Sequence, residues 1–405
     1  MLSVIGVIVA FFLIVALRLR NVDFSVSILA GSVIISLTSG RLLGVLFKAG
    51  AIMVTDPVER ASTLNICAAV ALITVLGYGL KETGLMSELI EGLRSVLPSR
   101  VLLALIPATF GLLSMPGGAL MSAPFNEPEA DRLGLRPEHK TYINVWFRHL
   151  WYWASPISPV PILAASLAGM SLNGFLTVQL PIFAVTLALG FAVSMYFIRD
   201  GGNSGRGAKG VSDAVKGLAP IIVTILLSAV GVPVWAALIV GVSMVYAVGR
   251  VPASAALRMA RDGVRWDIVA SVVSMLFFRH VVAVSGSVDA LFEAVLGLGV
   301  PLIAILVVPP ILVGTISGTP TMGIGIVFPL LLPLIGTGGA HLISIAYAGV
   351  ICGYLASPMH LCLVLTNSYY KSELGRVYRY LVPSVALLYL SNLLYHLAAG
   401  GALTL

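Results

Sequence analysis

Long apolar runs follow one another through almost the whole chain, and they constrain its fold more than any other feature. They occur at about 2–17, 24–46, 61–80, 100–113, 141–154, 162–175 and 176–198. They return at about 214–231, 233–248, 266–283, 300–316, 326–336, 341–356 and 377–397. A bilayer-spanning helix needs about 20 mainly apolar residues. A soluble fold needs a polar surface, and 10% charged residues, against roughly 25% in ordinary soluble domains, cannot supply one. The expected fold class is therefore an all-α polytopic membrane protein with the lipid bilayer as its solvent. The segment 2–17 reads as a first span rather than a signal peptide, because no basic stretch precedes it and Arg18 and Arg20 follow it.

The net charge of +7 does not indicate nucleic acid. The basic residues sit in short clusters between apolar runs, as the positive-inside rule describes. Arg199, Arg206, Lys209 and Lys216 form one such cluster, and Arg250, Arg258, Arg261 and Arg265 another. Placing both in the cytoplasm puts the clusters around Arg132 and Arg376 inside as well, with both chain termini outside. Cys67, Cys352 and Cys362 lie in or near apolar segments and show neither metal-ligand spacing nor a disulfide framework. No metal and no cofactor is expected.

The second half repeats the first. Tyr152-Trp153-Ala154-Ser155-Pro156 returns as Tyr354-Leu355-Ala356-Ser357-Pro358, an offset of 202 residues (354 − 152). The same offset pairs Gly84 with Gly286, Leu89 with Leu291, Glu91 with Glu293 and Pro107 with Pro309. The expected organisation is a first repeat at 1–198, a glycine-rich cytoplasmic linker at 199–213 and a second repeat at 214–405. Five full crossings per half, an odd number, would invert the second repeat relative to the first. Amphipathic stretches near 84–97, 253–262 and 286–297 read as interfacial helices.

Two apolar runs are interrupted in the same way. One continues into Ser114-Met115-Pro116-Gly117-Gly118 and on to Ser122, the other into Ser317-Gly318-Thr319-Pro320-Thr321. Proline removes a backbone donor and glycine loosens a helix. Irregular backbone at membrane depth is tolerated only inside protein or beside a wet cavity. These stretches read as the tips of two re-entrant hairpins. A second kind of break falls at Ser155-Pro156-Ile157-Ser158-Pro159 and at Ser357-Pro358, midway along segments long enough to span. Paired interrupted helices are the best sequence pointer to a transport site, since their exposed ends attract ions.

These phrases carry a resemblance. The layout looks like the ion transporter superfamily. Ser114-Met115-Pro116-Gly117-Gly118 and Ser357-Pro358-Met359-His360 most resemble an archaeal membrane family, domain-of-unknown-function family 401. The resemblance implies that each hairpin tip faces a broken helix and that the two pairs enclose a substrate and a coupling cation. It also implies a homodimer with an elevator mechanism. It would put Ser114, Pro116, Gly117, Gly118 and Ser122 beside Ser155, Pro156 and Ser158. Ser317, Gly318, Thr319, Pro320 and Thr321 would lie beside Ser357, Pro358 and His360. The divalent-anion symporters of the superfamily carry Ser-Asn-Thr at their tips. Here the tips read Ser-Met-Pro and Ser-Gly-Thr, so the motif assigns neither a dicarboxylate nor a sodium site.

Ionisable groups inside a membrane are functional candidates by default. His360 suits proton coupling or a neutral bond to a loop carbonyl. Asn367 and Thr366 either contact substrate or bond neighbouring helices. Arg148 and His149 stand among Trp146, Trp151 and Trp153. The arginine could attract an anionic substrate, but the tryptophans read more as an interfacial aromatic belt. Asn144, one helical turn from Arg148, could support either role. Arg279 and His280 read as interfacial too. No span carries a central Asp or Glu, which disfavours a cation/proton antiporter, the alternative on this architecture. No His-Glu-x-x-His, Gly-x-Ser-x-Gly or P-loop pattern supports an enzyme or ATPase. The expected function is secondary active transport of a small, carboxylate-like anionic solute across the plasma membrane, coupled to sodium or protons.

Overall fold

The computed structural model describes residues 2–20, 22–112, 118–198, 208–287, 299–336 and 339–400. The first half comprises α1 (Leu2–Leu19), α2 (Phe24–Thr38), α3 (Leu42–Thr55), α4 (Pro57–Glu82), α5 (Leu85–Val96), α6 (Ser99–Leu112), α7 (Gly118–Arg132), α8 (Pro137–Arg148), α9 (Trp151–Ala154), α10 (Pro159–Leu167) and α11 (Leu172–Phe197). The second comprises α12 (Ala208–Ala229), α13 (Val234–Val248), α14 (Ala253–Gly263), α15 (Trp266–Ser285), α16 (Leu302–Ser317), α17 (Pro320–Ile335), α18 (Ala340–Ala356), α19 (Leu361–Tyr369) and α20 (Leu374–Ala399). Among the described residues there is no strand. Six helical segments among the described residues are long and apolar enough to cross a membrane: α4, α11, most of α12, α15, the α18–α19 pair and α20.

Local chemistry sets many boundaries. Asp56 caps α4 by accepting from the Val58 and Glu59 backbone amides at 2.9 and 3.0 Å, with Pro57 in the first turn. Ser171 caps α11 through the Gly174 amide at 3.1 Å. The apolar run at 24–46 is not one helix, as its composition suggests. It is divided at Gly40, whose φ of 75° turns the chain between α2 and α3. Helix α12 begins at Ala208, inside the stretch expected as linker. The amphipathic stretches at 84–97 and 253–262 are α5 and α14. The third, at 286–297, lies almost wholly outside the described residues.

Several backbone features recur at the offset of the sequence matches. Left-handed turns recur 202 residues apart: Gly84 with Gly286 (286 − 84), Gly134 with Gly336, and Gly169 with Lys371. The last helix of each half, α11 and α20, keeps the same separation at both ends (374 − 172 and 399 − 197).

Packing divides the helices into two groups, each drawn from both halves. In the first group α2 packs on α15 and, correspondingly, α4 on α13; α3 packs on α15 and α14 on α4. In the second, the later hairpin arm of each half packs on the broken helix of the other, α7 on α19 and α17 on α10. The earlier arms pack on their own half's broken helix, α6 on α8 and α16 on α18. Small residues allow these last approaches. A Cβ on Gly111 would lie 2.0 Å from the Arg148 carbonyl oxygen, and one on Gly314 would lie 2.2 Å from that of Val350.

The tryptophans near Arg148 do not form an interfacial belt. Trp146 and Trp153 are fully buried, since α8 and α9 are enclosed by α6, α11 and α20. Trp146 donates its indole N–H to the Thr186 carbonyl at 2.9 Å, and Trp153 packs edge-on against Tyr347.

Candidate functional site between two broken helices

The two breaks have the same construction. Helix α9 stops at Ser155 and α10 starts at Pro159; α18 stops at Ser357 and α19 starts at Leu361. In each, the serine hydroxyl accepts from the backbone amide two residues on. Ile157 donates to Ser155 at 3.3 Å and Met359 to Ser357 at 3.0 Å. Such local turns replace the helical bonds that the prolines prevent. Ser357 also donates to the Thr315 carbonyl, tying its break to the neighbouring hairpin arm.

The second hairpin turns at Gly318, whose φ is 64°. A side chain there would come within 3.0 Å of the Met359 carbonyl oxygen, so the tip lies directly on the break. Ser317 Oγ bonds to the Gly314 and Thr319 carbonyls at 3.2 and 3.0 Å. Pro320 opens α17 and is buried, Thr321 is half-buried, and Thr319 is exposed. Of the first hairpin's tip, Ser114, Pro116 and Gly117 lie outside the described residues, and Gly118 begins α7. Ser122 is buried and donates to Asn144 Oδ1 at 2.7 Å. The Asn144 amide in turn donates to Thr366 at 3.1 Å. This chain joins the first hairpin to both broken helices.

The breaks also meet each other. His149 Nε2 lies 3.2 Å from His360 Nε2 and 3.4 Å from the Tyr354 hydroxyl. Tyr347 donates from the second broken helix to the Tyr152 carbonyl in the first, at 2.5 Å. Arg148 is buried beside this cluster and donates to the Phe110 carbonyl at 3.0 Å. Ser155, Pro156 and Ser158 are buried at the first break, Ser357 and His360 at the second, while Pro358 is exposed. Asn367 stands apart, at the far end of α19, where it accepts from Ser372 at 2.6 Å.

Several residues of this cluster were not singled out by sequence. His149 was read as structural because its tryptophan neighbours suggested an interface. Tyr152 and Tyr354 open the repeated pentapeptide, and their matched positions were the signal that they share a location. Asn144 was noted only as one helical turn from Arg148.

Two cavities lie away from the breaks, at the boundary between the helix groups. One, of 760 Å³, is lined by residues including Ser62, Asn65, Ser166 and Trp235. The other, of 510 Å³, is lined by Leu167, Arg279, Pro333 and Ala340 among others. Arg279 spans this boundary. It pairs with Glu59 at 2.8 Å and reaches the Ser166 carbonyl at 3.5 Å.

The model of the family described as "Protein of unknown function (DUF401)" matches residues 2–398. The chain belongs to that family. No curated protein matches the sequence. The DUF401 chain is similar in fold to the Alcanivorax borkumensis YdaH transporter, whose crystal structure is described as revealing an unusual topology. The likeness has a TM-score of 0.61 at 16% identity and covers 87% of this chain and 90% of that one. The DUF401 chain therefore has the all-helical, multi-pass fold of a solved membrane transporter.

Proposed function

We propose that the protein is a secondary active transporter of a small anionic, carboxylate-like solute, coupled to sodium or protons, in the plasma membrane. The observation that carries this reading is the meeting of two buried helix breaks, each beside a hairpin arm and each contributed by a different half. A break inside a membrane protein leaves backbone groups without helical partners, and that is where ions and polar solutes bind. The N-termini of α10 and α19 bring partial positive charge to the breaks, and the C-termini of α9 and α18 bring partial negative charge. The buried Arg148 guanidinium adds a full positive charge on the same side of the balance, which favours an anion.

Alternating access would follow from the two inverted repeats. In this reading the group containing α6–α11 and α16–α20 moves as an elevator against a dimeric scaffold of α1–α5 and α12–α15. The loosely filled boundary around Arg279 suits such motion, and the long Arg279–Ser166 contact is the kind of bond that breaks during it. The seat of the solute is between the hairpin tips and the breaks. Ser155 and Ser357 are its edges, where their hydroxyls also hold the turns.

A thermal-unfolding screen of the purified protein tests the proposal. Organic and inorganic anions are added with and without sodium at several pH values. A ligand at 100 times its Kd stabilises the folded state by about 2.7 kcal/mol. The expected result is stabilisation by one class of anion that depends on sodium or pH, and uptake of the same anion into proteoliposomes that S155A/S357A abolishes. Stabilisation by neutral or cationic solutes alone would reject the anionic site.

A further inference from the structure

Three metal-ligating atoms converge where the broken helices meet. One ring nitrogen of His149, one of His360 and Cys362 Sγ all lie within 4.8 Å of one another, and the two Nε2 atoms are 3.2 Å apart. The sequence hides this set, because His149 is more than 200 positions from the other two, a separation outside any metal-ligand motif. Both histidines are buried, 2% and 0% exposed, and Cys362 is half-buried in the first turn of α19.

The hydrogen bonds orient the rings for coordination. His149 Nδ1 lies 2.6 Å from the Val145 carbonyl oxygen. A carbonyl only accepts, so Nδ1 carries the proton and Nε2 presents its lone pair to the cluster. A ring oriented by a backbone carbonyl is the usual arrangement of a metal-bound histidine. His360 Nε2 faces the same point. Its distance from His149 Nε2 is 3.2 Å. His360 Nδ1 is buried and has no hydrogen-bond partner among the described residues. With both Nε2 atoms on a metal, His360 Nδ1 carries the ring proton.

The spacing agrees. Two nitrogens bound tetrahedrally at about 2.0–2.1 Å stand about 3.3 to 3.4 Å apart, and the two here are 3.2 Å apart. Cys362 Sγ stands within 4.8 Å of a ring nitrogen of each histidine. The Tyr354 hydroxyl or a water can take the fourth position. Two imidazoles and a thiolate select a borderline-soft ion, whereas sodium, magnesium and calcium require oxygen ligands.

We propose that His149, His360 and Cys362 bind one divalent transition-metal ion of the Zn²⁺ type, clamped between the two broken helices. The site requires only that the breaks meet, so it stands or falls separately from the transport reading.

The test uses the full-length protein, purified in detergent, stripped with a chelator and titrated with Co²⁺. The expected result is one Co²⁺ per chain, with tetrahedral ligand-field absorption and a thiolate-to-metal charge-transfer band. Cys362→Ser should abolish the charge-transfer band. His360→Gln should weaken binding at least about tenfold, a loss that disturbing a second-shell partner alone can cause. Should His360→Gln not fold, Zn²⁺ should still raise the unfolding temperature of the unmodified protein more than that of Cys362→Ser. A protein that shows no tetrahedral Co²⁺ spectrum at saturation, or one unchanged in Cys362→Ser, overturns the proposal.

Discussion

Replacing Gly111 by alanine should cost more stability than the matching change at Gly314, and both should cost more than Gly44→Ala. The added Cβ would lie 2.0 Å from the Arg148 carbonyl oxygen at Gly111 and 2.2 Å from the Val350 carbonyl oxygen at Gly314. Contacts under 3.0 Å are essentially never seen, so α6 must retreat from α8 by 1.0 Å (3.0 − 2.0) and α16 from α18 by 0.8 Å (3.0 − 2.2). The obstacle in each case is backbone, which no rotamer change can relieve. Overpacking of this kind costs about 1–3 kcal/mol. At Gly111 a second loss follows. The Arg148–Phe110 bond starts at 3.0 Å, and a retreat of that size takes it out of hydrogen-bonding range. A bond to a charged group is worth about 1.5–3 kcal/mol. Val350, the counterpart of Arg148, has no side-chain bond to lose. The control, Gly44, has no atom within 4 Å of its added Cβ. Denaturant unfolding of the three purified variants in one detergent checks the order. Equal stability of Gly111→Ala and Gly44→Ala would refute the close approach of hairpin and broken helix, and Gly314→Ala as the costliest change would refute the role given to Arg148.

Other substitutions probe separate parts of the structure. Lys371 holds a left-handed backbone that its repeat partner fills with Gly169. That conformation costs an L-residue about 1–2 kcal/mol, and glycine's chain entropy takes back about 0.5–1. Lys371→Gly should therefore be neutral to about 1.5 kcal/mol more stable, and Gly169→Ala should be destabilising by unfolding measurements. Asn144→Ala should cost about 1–3 kcal/mol by leaving the Ser122 and Thr366 hydroxyls without it in a buried setting. Glu59→Gln should lower stability by about 1–3 kcal/mol, because Arg279 loses its carboxylate and His280, 3.5 Å away, loses the same group. A Glu59→Gln/Arg279→Gln double variant should recover part of that loss.

The architecture was legible because membrane burial leaves coarse marks. Apolar runs give the helices, and proline and glycine inside them give the breaks. The Ser-Pro pairs at 155 and 357 were readable because each follows the same Tyr-x-Ala phrase 202 residues apart. Proline alone marks no break, since Pro107, Pro181, Pro220 and Pro383 lie inside continuous helices. The 202-residue offset was readable because left-handed turns at Gly84 and Gly286 favour glycine at both positions. The run at 24–46 misled, since nothing in its hydropathy marks Gly40 as a corner. Contacts across the halves left no local trace. His149 meets His360 only through the crossing of two helices, and the pairing of each later hairpin arm with the other half's broken helix has no signature in either segment alone. The same limit explains Trp146 and Trp153. A tryptophan at a membrane interface and one enclosed by neighbouring helices have the same sequence context.

The account's central claim is that two inverted repeats bring their hairpin tips to one site from opposite sides of the membrane. Single cysteines at Ser114 and Ser317, in a background with Cys67, Cys352 and Cys362 replaced, test it most directly. Each is exposed to a membrane-impermeant thiol reagent from one face of oriented vesicles at a time. The account predicts that one position is labelled only from the outside and the other only from the inside. Labelling of both from the same face would contradict it.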